Sequence, residues 1–116
     1  NKRVAHLAKL LLKHGVPSAV SLVSPYKENR DDARKIISSG DQFAECYVKC
    51  SVEKCEQRDV KGMYAKARKG EIKGFTGIDD PYEAPQNPDL LIDTEHEALT
   101  DSAKNVKEFL KKRNLI

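Results

Sequence analysis

No apolar run in this chain approaches the ~20 residues that cross a bilayer, and its opening segment does not read as a signal peptide. No membrane partner is expected, and a cytoplasmic location is the natural default. Cysteine is scarce. Cys46, Cys50 and Cys55 follow no zinc-ligand spacing, and no histidine lies among them. Cys46 and Cys50 alternate with apolar residues, as core thiols of a strand would in a reducing compartment. Aromatic residues make up only 6%, a thin stacking platform, and the formal net charge of +3 does not imply nucleic acid by itself. No nucleic-acid partner is therefore expected. No internal repeat or linker is visible, and 116 residues suffice for a single domain with one modest core.

What the chain does contain is an alternation of helical and strand-like segments. KRVAHLAKLLLKHG places Val4, Leu7, Ala8, Leu11 and Leu12 on one helical face, with Gly15 as the stop. VPSAVSLVSP is a β-branched run ended by Pro25 and reads as a buried strand. NRDDARKIISSG reads as a second helix closed by Gly40, FAECYVKC as a strand, and SVEKCEQRD as a short helix with Ser51 as N-cap. A turn or two of helix is expected around Met63 to Lys69 and a short strand at DLLIDT. The final segment predicts a helix capped by Thr100 or Asp101. Such alternation implies an α/β fold with a parallel sheet covered by helices on both faces, where ligands bind at the carboxyl ends of strands. Ser24-Pro25-Tyr26 and Asp93-Thr94 fall at such ends.

Charge is concentrated in one place. Within residues 58–77 six cations (Arg58, Lys61, Lys66, Arg68, Lys69, Lys73) face two acids, Asp59 and Glu71. Glycines at 62, 70, 74 and 77 and the single Phe75 punctuate the same stretch. Cations supply donors for phosphate oxygens, and glycines keep backbone N–H groups accessible. A solvated basic loop with turn glycines has the same composition. Ser24 can contact a ligand, be phosphorylated, or simply form a Ser-Pro turn. His6, His14 and His96 sit in no triad context, so no base for a nucleophilic serine is evident. Arg58 can stack on a purine or pair with an acid such as Glu56.

The run RDVKGMYAKARKGEIKGFTGIDDPYEAP resembles the lid segment of adenylylsulfate kinases. VSLVSPYKENRDDAR is similar to that family's strand end, and KRVAHLAKLLL to the helix before it, so the resemblance covers residues 1 to 94. It implies a P-loop NTPase-type kinase fold. It further implies transfer of the ATP γ-phosphoryl group to the 3′-hydroxyl of adenosine 5′-phosphosulfate, giving 3′-phosphoadenylylsulfate in sulfate assimilation. Carried over residue by residue, Val23, Ser24, Lys61, Gly74 and Phe75 are substrate-binding, with the Phe75 ring stacking on adenine. Arg58 lies on the ATP side, and Lys66 and Arg68 are phosphate-side donors. Lys61 is carried over as catalytic, and Ser24 matches the serine described in bacterial members as a phosphoserine intermediate. Direct in-line transfer needs only positioning and charge stabilisation.

The sequence departs from the family in containing no Gly-Lys dipeptide, and hence no G-x-x-x-x-G-K-[ST] phosphate cradle. The expectation is therefore a single kinase domain over residues 1–116, truncated at its N-terminus before the P-loop strand, with its lid at about 58–85. These residues alone are expected to be unstable and inactive. ATP is the implied co-substrate, with Mg²⁺ held mainly by phosphates and the preceding region. A homodimer, and fusion to or association with an ATP sulfurylase, are further expectations of the resemblance. The alternatives are a P-loop-less binding or regulatory module, or a related P-loop kinase for another small hydroxylated substrate.

Overall fold

The computed structural model describes residues 1–37 and 42–114. Along the chain run α1 (Lys2–Lys13), α2 (Lys27–Ile37), β1 (Cys46–Lys49), α3 (Val52–Arg58), α4 (Met63–Arg68), β2 (Leu90–Asp93) and α5 (Leu99–Lys112). The strands pair in parallel, with Cys46 opposite Leu90 and Lys49 opposite Asp93. The α/β expectation holds, with helices α3, α4 and the long loop 69–89 forming the crossover between the two strands. α5 packs on β2, while α1 packs against α2, where Lys2 pairs with Asp32 at 2.9 Å.

Local chemistry explains most boundaries. α1 stops in a glycine-dependent turn: Gly15 has φ +74°, its N–H bonds Leu12 O, and Val16 N–H reaches back to Leu11 O. Ser51 caps α3 as expected, its Oγ accepting from Lys54 N–H at 3.3 Å. α5 begins two or three residues earlier than expected. Its N-cap is Ala98, which offers no side-chain acceptor, so neither Thr100 nor Asp101 caps it. The Gly40 stop of α2 lies outside the described residues.

The β-branched run 16–25 overturns its expectation. It joins no ladder among the described residues, and Val20, Leu22 and Val23 are about half or more exposed. β-propensity expresses a fit to a pleated, half-buried surface, and it yields a strand only where a neighbour supplies the ladder. β1 and β2 pair with one another, and residues 16–25 pair with neither. The thiols also differ from expectation: Cys46 is exposed and Cys50 and Cys55 are half-buried, because a two-stranded sheet covers little. Among the described residues the buried apolar ones are Ala5, Ala67 and Ile92, and none of them is fully enclosed. The Cα radius of gyration is 15.8 Å, against about 13 Å for a compact chain of this length.

Candidate functional site

The carboxyl ends of β1 and β2 are stitched together. Thr94 donates to Lys49 O through both its N–H and its hydroxyl, each at 3.0 Å. Ser51 donates its N–H and Oγ–H to the two carboxylate oxygens of Glu95, also at 3.0 Å, which holds that carboxyl below its usual range. Arg58, in the last turn of α3, adds a third tie: its guanidinium donates to Thr94 O at 2.5 Å and approaches Cys50 Sγ at 3.8 Å. Arg58 thus stands over both strand ends and does not pair with Glu56. That carboxylate is taken by Arg68, with Nε at 2.8 Å, which directs Arg68 to a neighbour within the protein.

Lys61 occupies the tip of a tight turn. Gly62 N–H bonds Asp59 O at 2.8 Å, and Gly62 takes φ +65°, where a side chain would be strained. Asp59 then caps α4, accepting the N–H groups of Tyr64 and Ala65 at 3.0 Å each. The first of these bonds is the chief reason its carboxyl titrates below the usual range. Lys61 is exposed, and its ammonium has no hydrogen bond or ion pair among the described residues. A cation presented on a fixed turn and left unpaired is available to an anionic ligand.

Gly74 and Phe75 are built into a second turn by one carboxylate. Asp79 Oδ2 accepts Gly74 N–H at 2.8 Å and Oδ1 accepts Phe75 N–H at 2.6 Å, which together lower the Asp79 pKa. Phe75 O closes the turn by accepting from Ile78 N–H at 3.0 Å. The Phe75 ring meets Tyr64 of α4 edge to face, centroids 4.9 Å apart. Tyr64 itself is pushed up to about 12, mainly by burial and then by Cys55, so it remains a neutral phenol supporting the ring. Gly77 seats the turn on α3: its φ is +89°, and a Cβ there would lie 3.1 Å from Val52 Cγ2.

The strand-end residues form a third group. Val23 is 67% exposed, and Ser24 adopts φ +43°, a left-handed backbone that is uncommon for any residue with a side chain. This segment is laced to the leg that follows the Phe75 turn. Tyr26 Oη donates to both oxygens of Asp80 at 2.7 and 2.8 Å, and Glu83 N–H donates to Pro25 O at 2.8 Å. The structure therefore brings Arg58, Lys61, Gly74 and Phe75 together on the α3–α4 unit. Val23 and Ser24 join that group through residues 80–83, and no hydrogen bond or ion pair among the described residues links them to it directly.

Sequence reasoning missed Asp59, Asp79 and Arg30, and it named Tyr26 only as part of a strand end. The carboxylates announce themselves only by spacing: Asp79 lies four and five residues beyond the amides it holds, and Asp59 five and six before its own. A cleft of about 770 Å³ lies between α2 and residues 83–89 and is lined by Lys27, Arg30, Arg34, Glu45, Glu83 and Asp89 among others. It includes none of the six nominated residues, and its charges largely neutralise one another, as in Arg34–Asp89 at 2.8 Å. The loop turns carry the candidate site.

A parallel α/β unit with a rigidly turned cationic loop at its strand ends defines a protein whose ligand edge lies at those ends. Comparison with known proteins identifies which. The family model of adenylylsulphate kinase matches residues 1–93. An adenylyl-sulfate kinase of Staphylococcus haemolyticus is 46% identical over 99% of the chain, and one of Halothermothrix orenii is 49% identical over 99%. A solved structure of the Mycobacterium tuberculosis APS kinase CysC in complex with AMPPNP and APS superposes with a TM-score of 0.84 at 41% identity. It covers 95% of this chain and 64% of that one. The chain belongs to the adenylylsulphate kinase family and has its α/β kinase fold. It spans 57% and 60% of the length of the two curated relatives.

Proposed function

We propose that the complete protein transfers the γ-phosphoryl group of ATP to the 3′-hydroxyl of adenosine 5′-phosphosulfate, and that residues 58–85 are the lid over that acceptor. The observation that carries this reading is the likeness, over nearly the whole chain, to a kinase solved with AMPPNP and APS. The turns support it. Phe75 is held at its own backbone and backed by Tyr64, so a base can stack on the ring without reorganising the loop. Lys61 brings an uncompensated positive charge to phosphate oxygens, where preorganised charge stabilises an in-line transfer. Gly74, with open space where a Cβ would stand, lets substrate approach the backbone.

Val23 and Ser24 supply the wall opposite the lid. The Ser24 hydroxyl has no hydrogen-bond partner, and hence no activating base, among the described residues. This favours direct transfer to substrate over a phosphoserine step. Arg58, joined to the ends of both strands, stands on the ATP side. No group of three or more His, Cys, Asp or Glu among the described residues could hold a metal ion. Mg²⁺ in phosphoryl transfer is held by substrate phosphates and water with one or two carboxylates, and no step is assigned to it on this chain. Substrate-dependent ATP consumption by the complete protein tests the reading. Turnover is expected with adenosine 5′-phosphosulfate, and turnover with gluconate, shikimate or a nucleoside monophosphate in its place would replace it.

A further inference from the structure

Arg30 projects from α2 with 10% of its side chain exposed. Its Nη1 donates to Ser24 O at 2.8 Å and its Nη2 to Glu83 O at 2.6 Å. Nε faces Glu45 Oε1 at 2.9 Å as an ion pair, without an aligned hydrogen bond. One planar fork thus joins three segments that are remote in sequence: the strand end at 24, the lead into β1 at 45, and the leg after the Phe75 turn at 83. Only arginine offers donors in such a fixed arrangement.

The two carbonyls it holds are informative. Ser24 has the left-handed φ of +43°, a conformation that persists where surrounding contacts over-determine it. Glu83 is bound to the same segment from its other atoms. Its N–H donates to Pro25 O at 2.8 Å, and its Oε2 accepts Lys27 N–H at 2.6 Å. Without the guanidinium, both Ser24 O and Glu83 O lose a charged donor.

We propose that Arg30 is a positioning residue for the acceptor half of the site. It holds Ser24 and Val23 in a fixed relation to the returning leg of the lid, so that the wall and the lid meet the acceptor as one piece. This rests on the kinase reading above but concerns a residue whose guanidinium is taken up by Ser24 O, Glu83 O and the Glu45 carboxylate. It acts through the backbone of Ser24 and Glu83.

The test is Arg30→Lys in the complete protein. Lysine keeps a positive charge for Glu45 but cannot span both carbonyls. The expected result is a rise in the acceptor KM of about tenfold, the scale of one lost charge-assisted hydrogen bond. The KM for ATP stays within about twofold, the scale on which an ATP side left untouched scatters. Loss of folded enzyme would lower kcat and leave both KM values unchanged, and that outcome overturns the proposal. So does an equal rise in both KM values. If Arg30→Lys fails to fold, the Arg30→Gln, Glu45→Gln pair removes the enclosed charges together, and its two KM values are read by the same criteria. A wild-type protein without acceptor-dependent turnover overturns the kinase reading, and Arg30's assignment with it. An active wild type with unchanged KM values in the variants overturns Arg30 alone.

Discussion

Asp79 holds Phe75 by the backbone: its Oδ1 accepts the Phe75 N–H at 2.6 Å while Oδ2 takes the neighbouring Gly74 N–H. These bonds favour the ionised carboxylate, so its folded pKa lies below the usual range. A depressed carboxylate contributes its stabilisation above the unfolded value, and the contribution is lost as pH falls through the folded one. The Phe75 turn should therefore keep its geometry from neutral pH down to about pH 4 and loosen below it. Amide chemical shifts of Gly74 and Phe75 followed by NMR against pH check this. Asp79→Asn should abolish the transition and raise the acceptor KM.

Phe75→Ala removes the proposed stacking surface and leaves the Asp79 bonds intact, because those use the backbone. Acceptor KM should rise by about tenfold or more, the range of one base–aromatic stack. The melting temperature should fall only slightly. Steady-state kinetics and a thermal melt on the same preparation separate the two effects.

Lys61→Ala should do the reverse of a packing mutation. The side chain is exposed and unpaired among the described residues, so stability should be unchanged. Phosphoryl transfer should drop by about a hundredfold, as for removal of one preorganised donor to a developing charge. Near-normal turnover in a single-turnover assay would reject the role given to Lys61.

Gly77→Ala is expected to destabilise the lid's seat on α3. It places a Cβ at φ +89° and 3.1 Å from Val52 Cγ2. The backbone strain alone is of order 1–3 kcal/mol. Pairing it with Val52→Ala should recover the steric part and leave the conformational part. Denaturant melts of the single and double variants give both.

The 116-residue chain expressed by itself should unfold without a sharp cooperative transition. Among the described residues the buried apolar side chains are Ala5, Ala67 and Ile92, while Val20, Leu22 and Val48 lie about half exposed. That is too little buried area to offset the ordering of a chain this long. Calorimetry showing one sharp endotherm would contradict this.

The helices were legible because period and caps act locally: Gly15 ends α1 and Ser51 starts α3 where the sequence placed them. β1 and β2 were legible as short apolar runs. Residues 16–25 were misread because a strand is completed by its neighbour, which local sequence does not specify. Gly74, Phe75 and Lys61 could be nominated from composition and resemblance. The reasons they are held in place could not. Asp59, Asp79 and Arg30 act on backbone atoms of other segments, and such bonds leave no residue-type signature in the partner. The cation count also misled: Arg68 has a partner in Glu56, whereas Lys61 has none among the described residues.

Identification of the product tests the central claim most directly. The complete protein is incubated with ATP and adenosine 5′-phosphosulfate, and the nucleotides are separated and assigned by phosphorus NMR. The account predicts one ADP formed for each acceptor phosphorylated at its 3′-oxygen, with the phosphosulfate bond intact. ADP formed without a phosphorylated acceptor, or a phosphate placed on any other atom, would contradict it.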